Sequence, residues 1–302
     1  MLELRQKELK LGKYPYAYVR TSVMKSLLFR KDDYHKMLKM SFSEIAKFLQ
    51  DSHYKDEINK LGTEYSGADL IEFALNKNLA DSFEKLLKIS PPGLSLLIRK
   101  YAIRKDIDDI KTILRGKFTN TDEKLILNSI TAAGALKFEF LNSLLKTESI
   151  EEILKNNRIV PFSLLEDGIK DLKEKNTLVG IENALDKYYY SHLMEFSKIL
   201  PKAGELFKNF LTKEVEILNI LTLLRLKKTK LDKEAIKRFI IPCGLSRGLK
   251  IIKLADVDDL EEFSRVLERT EYKDVIQKGF QEYRENGSLI TLETELYKYL
   301  LK

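Results

Sequence analysis

The chain has 302 residues, 44% hydrophobic and 33% charged, more than one core usually serves, so two or three packed units with a charged surface are predicted. A single cysteine, Cys243, excludes a disulfide framework within the chain and points to a reducing, cytosolic compartment. No apolar run approaches the ~18 residues that a membrane span needs, and Met1 is followed by alternating charges, so no signal peptide is expected.

The net charge of +7 is unevenly placed. Residues 1–40 hold ten Lys/Arg, among them Arg20, Lys25, Arg30 and Lys31, against four acids, which leaves +6 there. Such a segment suits an acidic partner or anionic headgroups, and equally a solvated helix face in a Lys-rich chain. Within it, Tyr14-Pro15-Tyr16-Ala17-Tyr18 clusters aromatic rings that offer large amphipathic contact area, or simply core packing.

Further along, Glu44, Leu49, Tyr54, Lys55, Asp56 and Ile58 foreshadow Glu262, Leu267, Tyr272, Lys273, Asp274 and Ile276. From residue 74 the chain repeats itself without a gap: 74–152 aligns with 184–262 at an offset of 110, with 21 identities in 79 positions. Average composition gives about five by chance. Ala74-Leu75 meets Ala184-Leu185, and Tyr188-Tyr189-Tyr190 replaces Asn78-Leu79-Ala80, a break in the repeat that marks these tyrosines as either partner contacts or core. Leu79, Phe83, Leu86 and Leu87 fall at helical spacing. Pro91-Pro92-Gly93 and Pro201-Lys202-Ala203-Gly204 read as breaks between helices. An apolar helix then starts at an acid, Asp106 or Glu216, and ends at Arg115 or Arg225. Nine residues separate acid from arginine, which puts the two on nearly opposite sides of the helix, so they cannot pair with each other. Asp122 and Asp232 are placed as helix N-caps, and Gly134 and Gly244 as further breaks. Each module reads as five or six short helices.

Ile71-Glu72 and Ile181-Glu182, which open modules, reappear as Leu292-Glu293 near the end. One reading splits the first module, with its front half at the C-terminus, which makes a closed arrangement of three modules rather than an open row. The boundaries are 1–60, the N-terminal half of the first module; 61–168, the second; 169–278, the third; and 279–302, a C-terminal helix returning to the first.

Nothing catalytic stands out. His35, His53 and His192 are far apart, and one cysteine leaves no usual zinc set, so neither metal nor cofactor is expected. Gly244-Leu245-Ser246-Arg247-Gly248 lacks the Gly-Lys-Ser/Thr ending of a nucleotide loop. Ser22-Val23-Met24-Lys25 matches a Ser-x-x-Lys nucleophile pattern without its partner motifs. Asp106, Arg115, Glu216 and Arg225 recur once per module, as structural ion-pair residues do, whereas an active site needs one constellation.

These residues resemble a known family, the C subunits of A/V-type ATPases, whose eukaryotic vacuolar counterpart is lettered d. Tyr16-Ala17-Tyr18-Val19-Arg20 with Leu27-Leu28 and Tyr34 is similar to the family's opening segment. Asp106-Ile107-x-x-Ile110 through Leu114-Arg115-Gly116-Lys117, and Glu214-Val215-Glu216 through Leu224-Arg225, are similar to its recurring helix. Ile241-Pro242-Cys243-Gly244 resembles its Ile-Pro-Gly-Gly segment, with Cys243 in place of a glycine. The resemblance implies an all-α funnel of three modules about a pseudo-threefold axis. It implies a central-stalk protein, without an active site, that seats on the proteolipid ring at the cytoplasmic face of the membrane. Its cavity would receive the D and F subunits of the stalk, its membrane contact would be indirect, and it would transmit torque for proton or sodium transport. Tyr14, Tyr16, Tyr18, Arg20, Tyr188, Tyr189 and Tyr190 are the expected contact residues. Family members continue past the helix matching 292–301 with another acid-to-arginine helix, so the C-terminal part that closes the first module is expected to be shortened here. The rival reading is a helical-repeat adaptor that binds nucleic acid through the basic segment; with no recognition helix in view, no nucleic acid is expected.

Overall fold

A computed structural model describes residues 11–227, 233–242, 251–257 and 259–301, with the side chains of 252 and 253 left aside. Every regular element among them is helical. By compactness the described residues divide into two units, one up to Leu185 and one from Asp186 onward, and the division falls inside one helix.

The first unit opens with α1 (Pro15–Ser26), α2 (Lys31–Met37), α3 (Phe42–Gln50) and α4 (Lys55–Leu61). Pro15 at the head of α1 sits where its missing N–H costs nothing. Ser41 and Glu44 cap α3 reciprocally: the Ser41 N–H donates to Glu44 Oε2 at 2.8 Å and the Glu44 N–H to Ser41 Oγ at 3.4 Å. The recurrence of Glu44 therefore has a local cause. A small core gathers Leu49, Ile58, Leu70 and Ala74, with Phe29, Ile45 and Tyr54 packed on it.

Two long helices follow, α5 (Gly67–Ile89) and α6 (Pro92–Phe118). The Pro91-Pro92 break lies between them as expected, but the expected start at Asp106 does not occur. α6 runs 27 residues and carries Asp106 in its middle. The expectation of uniformly short helices fails for the same reason: an acid inside a helix looks like a cap until something tertiary accepts it. Ile107, Ile110, Ile113 and Leu114 are at most 1% exposed, on a helix that packs against α5 and against α8 (Phe138–Leu145) and α9 (Ile150–Asn156). Before them, α7 (Glu123–Ser129) is capped by Asp122, whose Oδ1 accepts the N–H groups of Lys124 and Leu125 at 3.0 and 3.3 Å. α10 (Glu166–Lys175) then leads into α11 (Val179–Lys198), which carries the division between units.

The second unit repeats the scheme with the rest of α11, α12 (Glu205–Lys227), α13 (Lys233–Arg238), α14 (Ile251–Asp256), α15 (Leu260–Leu267), α16 (Lys273–Asn286) and α17 (Ile290–Leu300). The Pro201 break separates α11 from α12, and Glu216, like Asp106, lies inside its helix rather than at the start. Ile217, Ile220 and Leu224 pack in one cluster with Phe263, Tyr272, Ile276, Phe280, Leu292 and Leu296. Asp232, Cys243, Gly244 and the Gly244–Gly248 segment lie outside the described residues.

Candidate functional site

The recurring polar residues form two kinds of node. The first lies on the inner face of each long helix. Asp106 is fully buried, and its two oxygens accept the N–H groups of Ala135 and Leu136 at 2.8 Å each. Asp109, one turn on, accepts the Thr131 N–H at 2.8 Å and its hydroxyl at 2.9 Å through Oδ1, and the Ala132 N–H at 2.9 Å through Oδ2. The loop after α7 is thus strapped to α6 by carboxylates that satisfy backbone donors which would otherwise be buried unpaired. Gly134 makes the approach feasible: a Cβ there would come within 2.2 Å of the Asp106 carboxylate.

The same strap recurs 110 residues later with altered chemistry. Asn219 Oδ1 accepts the Ile241 N–H at 2.8 Å, and Asn219 Nδ2 donates to the Ile241 carbonyl at 2.9 Å. Ala132 corresponds to Pro242, which has no N–H to offer. The second acceptor oxygen of Asp109 has no counterpart to serve there, and an amide replaces the carboxylate. At Glu216 a side chain is among the donors: Tyr272 Oη donates to Glu216 Oε2 at 2.6 Å inside the core. Burial, then this bond to a carboxylate, push the Tyr272 hydroxyl well above the usual phenol range. Tyr272→Phe would leave a buried oxygen without that partner, and urea unfolding should show a loss of about 1–3 kcal/mol.

Burial also raises the acids of the first strap. Asp106 is pushed up to about 6 by desolvation, which outweighs the two N–H bonds that favour its charged form. Asp109 moves the same way for the same first cause. A carboxyl whose folded pKa exceeds its unfolded value stabilises most below the unfolded value and loses that contribution as pH rises through the folded one. Between pH 4 and pH 7 the stability gap between wild type and Asp106→Ala should therefore narrow, as read by thermal unfolding at several pH values.

The second node joins the end of each long helix to the first turn of the next. Arg115 pairs in two-pronged fashion with Glu182 on α11, Nε to Oε1 at 2.6 Å and Nη2 to Oε2 at 2.7 Å. Arg225 pairs with Glu293 on α17 through one contact, Nη2 to Oε1. The arginines face away from the buried acids of their own helices, as the nine-residue spacing requires. Both arginines are more than half exposed, so each pair is worth only about 0.2–1 kcal/mol. Arg225→Ala should lower stability within that range, and the charge swap with Glu293→Arg and Arg225→Glu should recover part of it.

Ahead of each pair sits a glycine that the repeat did not single out. Gly168 on α10 meets the backbone of Ile181, and a Cβ would come within 2.6 Å of the Ile181 nitrogen. Gly279 on α16 meets Leu292, at 2.7 Å from its Cα. Both glycines precede their partner by thirteen residues, a signal that a search of the repeat for glycine would have found.

The contact residues separate. Tyr16 and Tyr18 are 63% and 73% exposed, Arg20 is exposed, and Tyr14 is half-buried with its hydroxyl accepting the Gly12 N–H at 3.1 Å. Tyr189 and Tyr190 are buried at 3% and 4%. Tyr188 is half-buried with its ring on His192, the centroids 3.8 Å apart. Ser22 Oγ donates to the Tyr18 carbonyl at 2.8 Å, an ordinary helix back-bond. Among the described residues no group of three or more His, Cys, Asp or Glu side chains is placed to hold a metal, and no helix is long and apolar enough to cross a membrane.

These features define a class: an all-helical scaffold whose polar nodes spend their hydrogen bonds on joining helix to loop and helix to helix. The chain belongs to the ATP synthase (C/AC39) subunit family, whose pattern matches residues 17–302. The C subunit of the A-type ATP synthase of Methanosarcina acetivorans is 39% identical over 296 residues, covering 96% of this chain and 78% of that protein. Its counterparts in Methanococcoides burtonii and Haloquadratum walsbyi are 37% and 30% identical, covering 96% and 95% of this chain and 80% and 83% of their own lengths. The chain is accordingly one component of a rotary ATPase, a multi-subunit complex.

Proposed function

We propose that this chain is the central-stalk component that connects the rotating stalk, made of the D and F subunits, to the membrane proteolipid ring, carries torque between them and catalyses nothing itself. The observation that carries this reading is the family match over residues 17–302. The nodes support it physically. Torque transfer needs a stiff body, and dense helix packing with strapped loops resists deformation. Asp106 and Asp109 have their oxygens engaged by backbone donors, which leaves them ill-suited to act as bases. Seating at the cytoplasmic face, through the ring rather than by insertion, is part of the same reading. Co-sedimentation with a reconstituted proteolipid ring and pull-down by a D–F stalk complex test it. Binding to both is expected; binding to neither overturns it.

A further inference from the structure

We propose that Asn286 is a site of spontaneous covalent modification, at which the side-chain amide converts to aspartate and isoaspartate through attack by the backbone nitrogen of Gly287. Of the thirteen asparagines in the chain, Asn286 alone precedes a glycine. Glycine has no Cβ to shield its nitrogen and moves freely between backbone regions, so it leaves the preceding asparagine the most open to this attack. The structure adds where the pair stands. Asn286 is the last residue of α16 and Gly287 is its left-handed cap at φ 69°, and both are exposed. A Cβ at Gly287 would meet nothing within 4 Å, so the turn has room to rearrange. Asn157 and Asn219, by contrast, are buried with their side chains bonded to backbone groups.

The bonds around the pair favour the step. The Ser288 N–H donates to Asn286 Oδ1 at 2.8 Å, which draws electron density from the carbon under attack. The Gly287 N–H donates to the Tyr283 carbonyl at 2.8 Å, at the end of α16, where helices fray. When that bond opens, the Gly287 nitrogen gives its proton to solvent and bonds to Asn286 Cγ. The Cγ–Nδ2 bond breaks, and Nδ2 leaves as ammonia with a proton from water. Water then opens the five-membered imide at either carbonyl. One opening yields aspartate; the other yields isoaspartate, whose backbone runs through the side-chain carbon.

The turn is a sensitive place for such a change. Gly287 follows Gly279 by eight residues, and Asn176 follows Gly168 by eight, each glycine being the one pressed on the next helix. Asn176 is likewise a left-handed cap, at φ 50°, so the two turns correspond and Lys175 stands in the place of Asn286. Lys175 and Asn176 are exposed in the same way with the whole of the second unit after them, so the exposure belongs to the turn itself. A lysine suits the end of a helix, where free carbonyls make the potential negative, and a new carboxylate does not. Isoaspartate also lengthens the backbone between α16 and α17 by one carbon, where Gly279 and Leu292 leave no slack.

The test ages the full chain in neutral and mildly alkaline buffer, digests it with trypsin and reads peptide 285–298 by mass spectrometry. Asn286 is the one side-chain amide in that peptide, so an amide-to-acid mass increment there has a single origin. Labelling by an isoaspartyl methyltransferase separates the two products. The increment should accumulate at least about tenfold faster than at any other asparagine, because glycine follows here alone. It should rise with pH, since the attacking nitrogen must lose its proton, and both products should be present. Asn286→Lys should abolish it and keep the melting temperature of fresh protein. Aged protein should melt lower than fresh protein, with Asn286→Asp, which carries the charge on an ordinary backbone, between the two. No increment in 285–298, an increment only after unfolding in urea, equal conversion of all asparagines, or aspartate without isoaspartate overturns the inference. Aged protein that carries the increment yet melts like fresh protein overturns the effect on the α16–α17 crossing.

Discussion

Gly279→Ala should destabilise the 186–302 unit by about 3 kcal/mol, the upper end of what overpacking usually costs. Two effects oppose each other. Alanine is the better helix former by about 1 kcal/mol in a helix interior, and α16 would gain that. The added methyl, however, would sit 2.5 Å from Leu292 Cδ1 and 2.7 Å from its Cα and Cβ. A side-chain tip can swing aside, but a Cα cannot move without shifting α17. The clash therefore wins, and α16 and α17 must part. Because Glu293 is the next residue, parting them also moves the acceptor of Arg225. Chemical denaturation should show the loss, and Gly168→Ala should reproduce it in the other unit, where the new methyl would meet the Ile181 nitrogen at 2.6 Å. A Gly279→Ala protein as stable as wild type, or more stable, would mean that α16 and α17 do not cross so closely.

Asp106→Ala should cost about 2–4 kcal/mol. Two buried backbone donors, on Ala135 and Leu136, lose their acceptors, and an orphaned buried donor costs about 1–3 kcal/mol. Asparagine is no rescue. Both carboxylate oxygens accept N–H groups, so the amide nitrogen would point a donor at a donor. Asp109→Asn should fail likewise, through the Ala132 N–H, although asparagine is the residue used at the matching position 219. The difference lies in the loop, because Pro242 offers no N–H where Ala132 does. Gly134→Ala should match Asp106→Ala, since its methyl would occupy the carboxylate's place. Hydrogen exchange at Ala135 and Leu136 checks the assignment: protection should fall there first in Asp106→Ala. Unchanged protection would place the strap elsewhere.

Much of this was legible in the sequence because it is local. Asp122 caps α7 through its own next three residues, and Ser41 with Glu44 closes a box across one turn. Proline at 91 and 201 stops a helix whatever surrounds it. The 110-residue offset marked Arg115 and Arg225 as recurrent, and their spacing from Asp106 and Glu216 ruled out pairing within the helix. The opening glutamates, 182 and 293, were visible as repeats too, but nothing in one dimension named them as the arginines' partners.

What the tertiary structure alone decided are matters of contact. Asp106 and Glu216 look like helix starts, because an acid amid isoleucines is tolerable only with donors, and the donors come from 29 to 56 residues away. Gly168 and Gly279 look like loose positions in a helix until another backbone is seen against them. Tyr16 and Tyr189 are the same residue in similarly apolar company, yet one faces water and the other the core, since the side of a helix that is buried is set by what packs on it. The sequence by itself settles where backbone hydrogen bonds begin and end along each helix; which buried charge is satisfied, and by whom, depends on groups the chain brings together only when it folds.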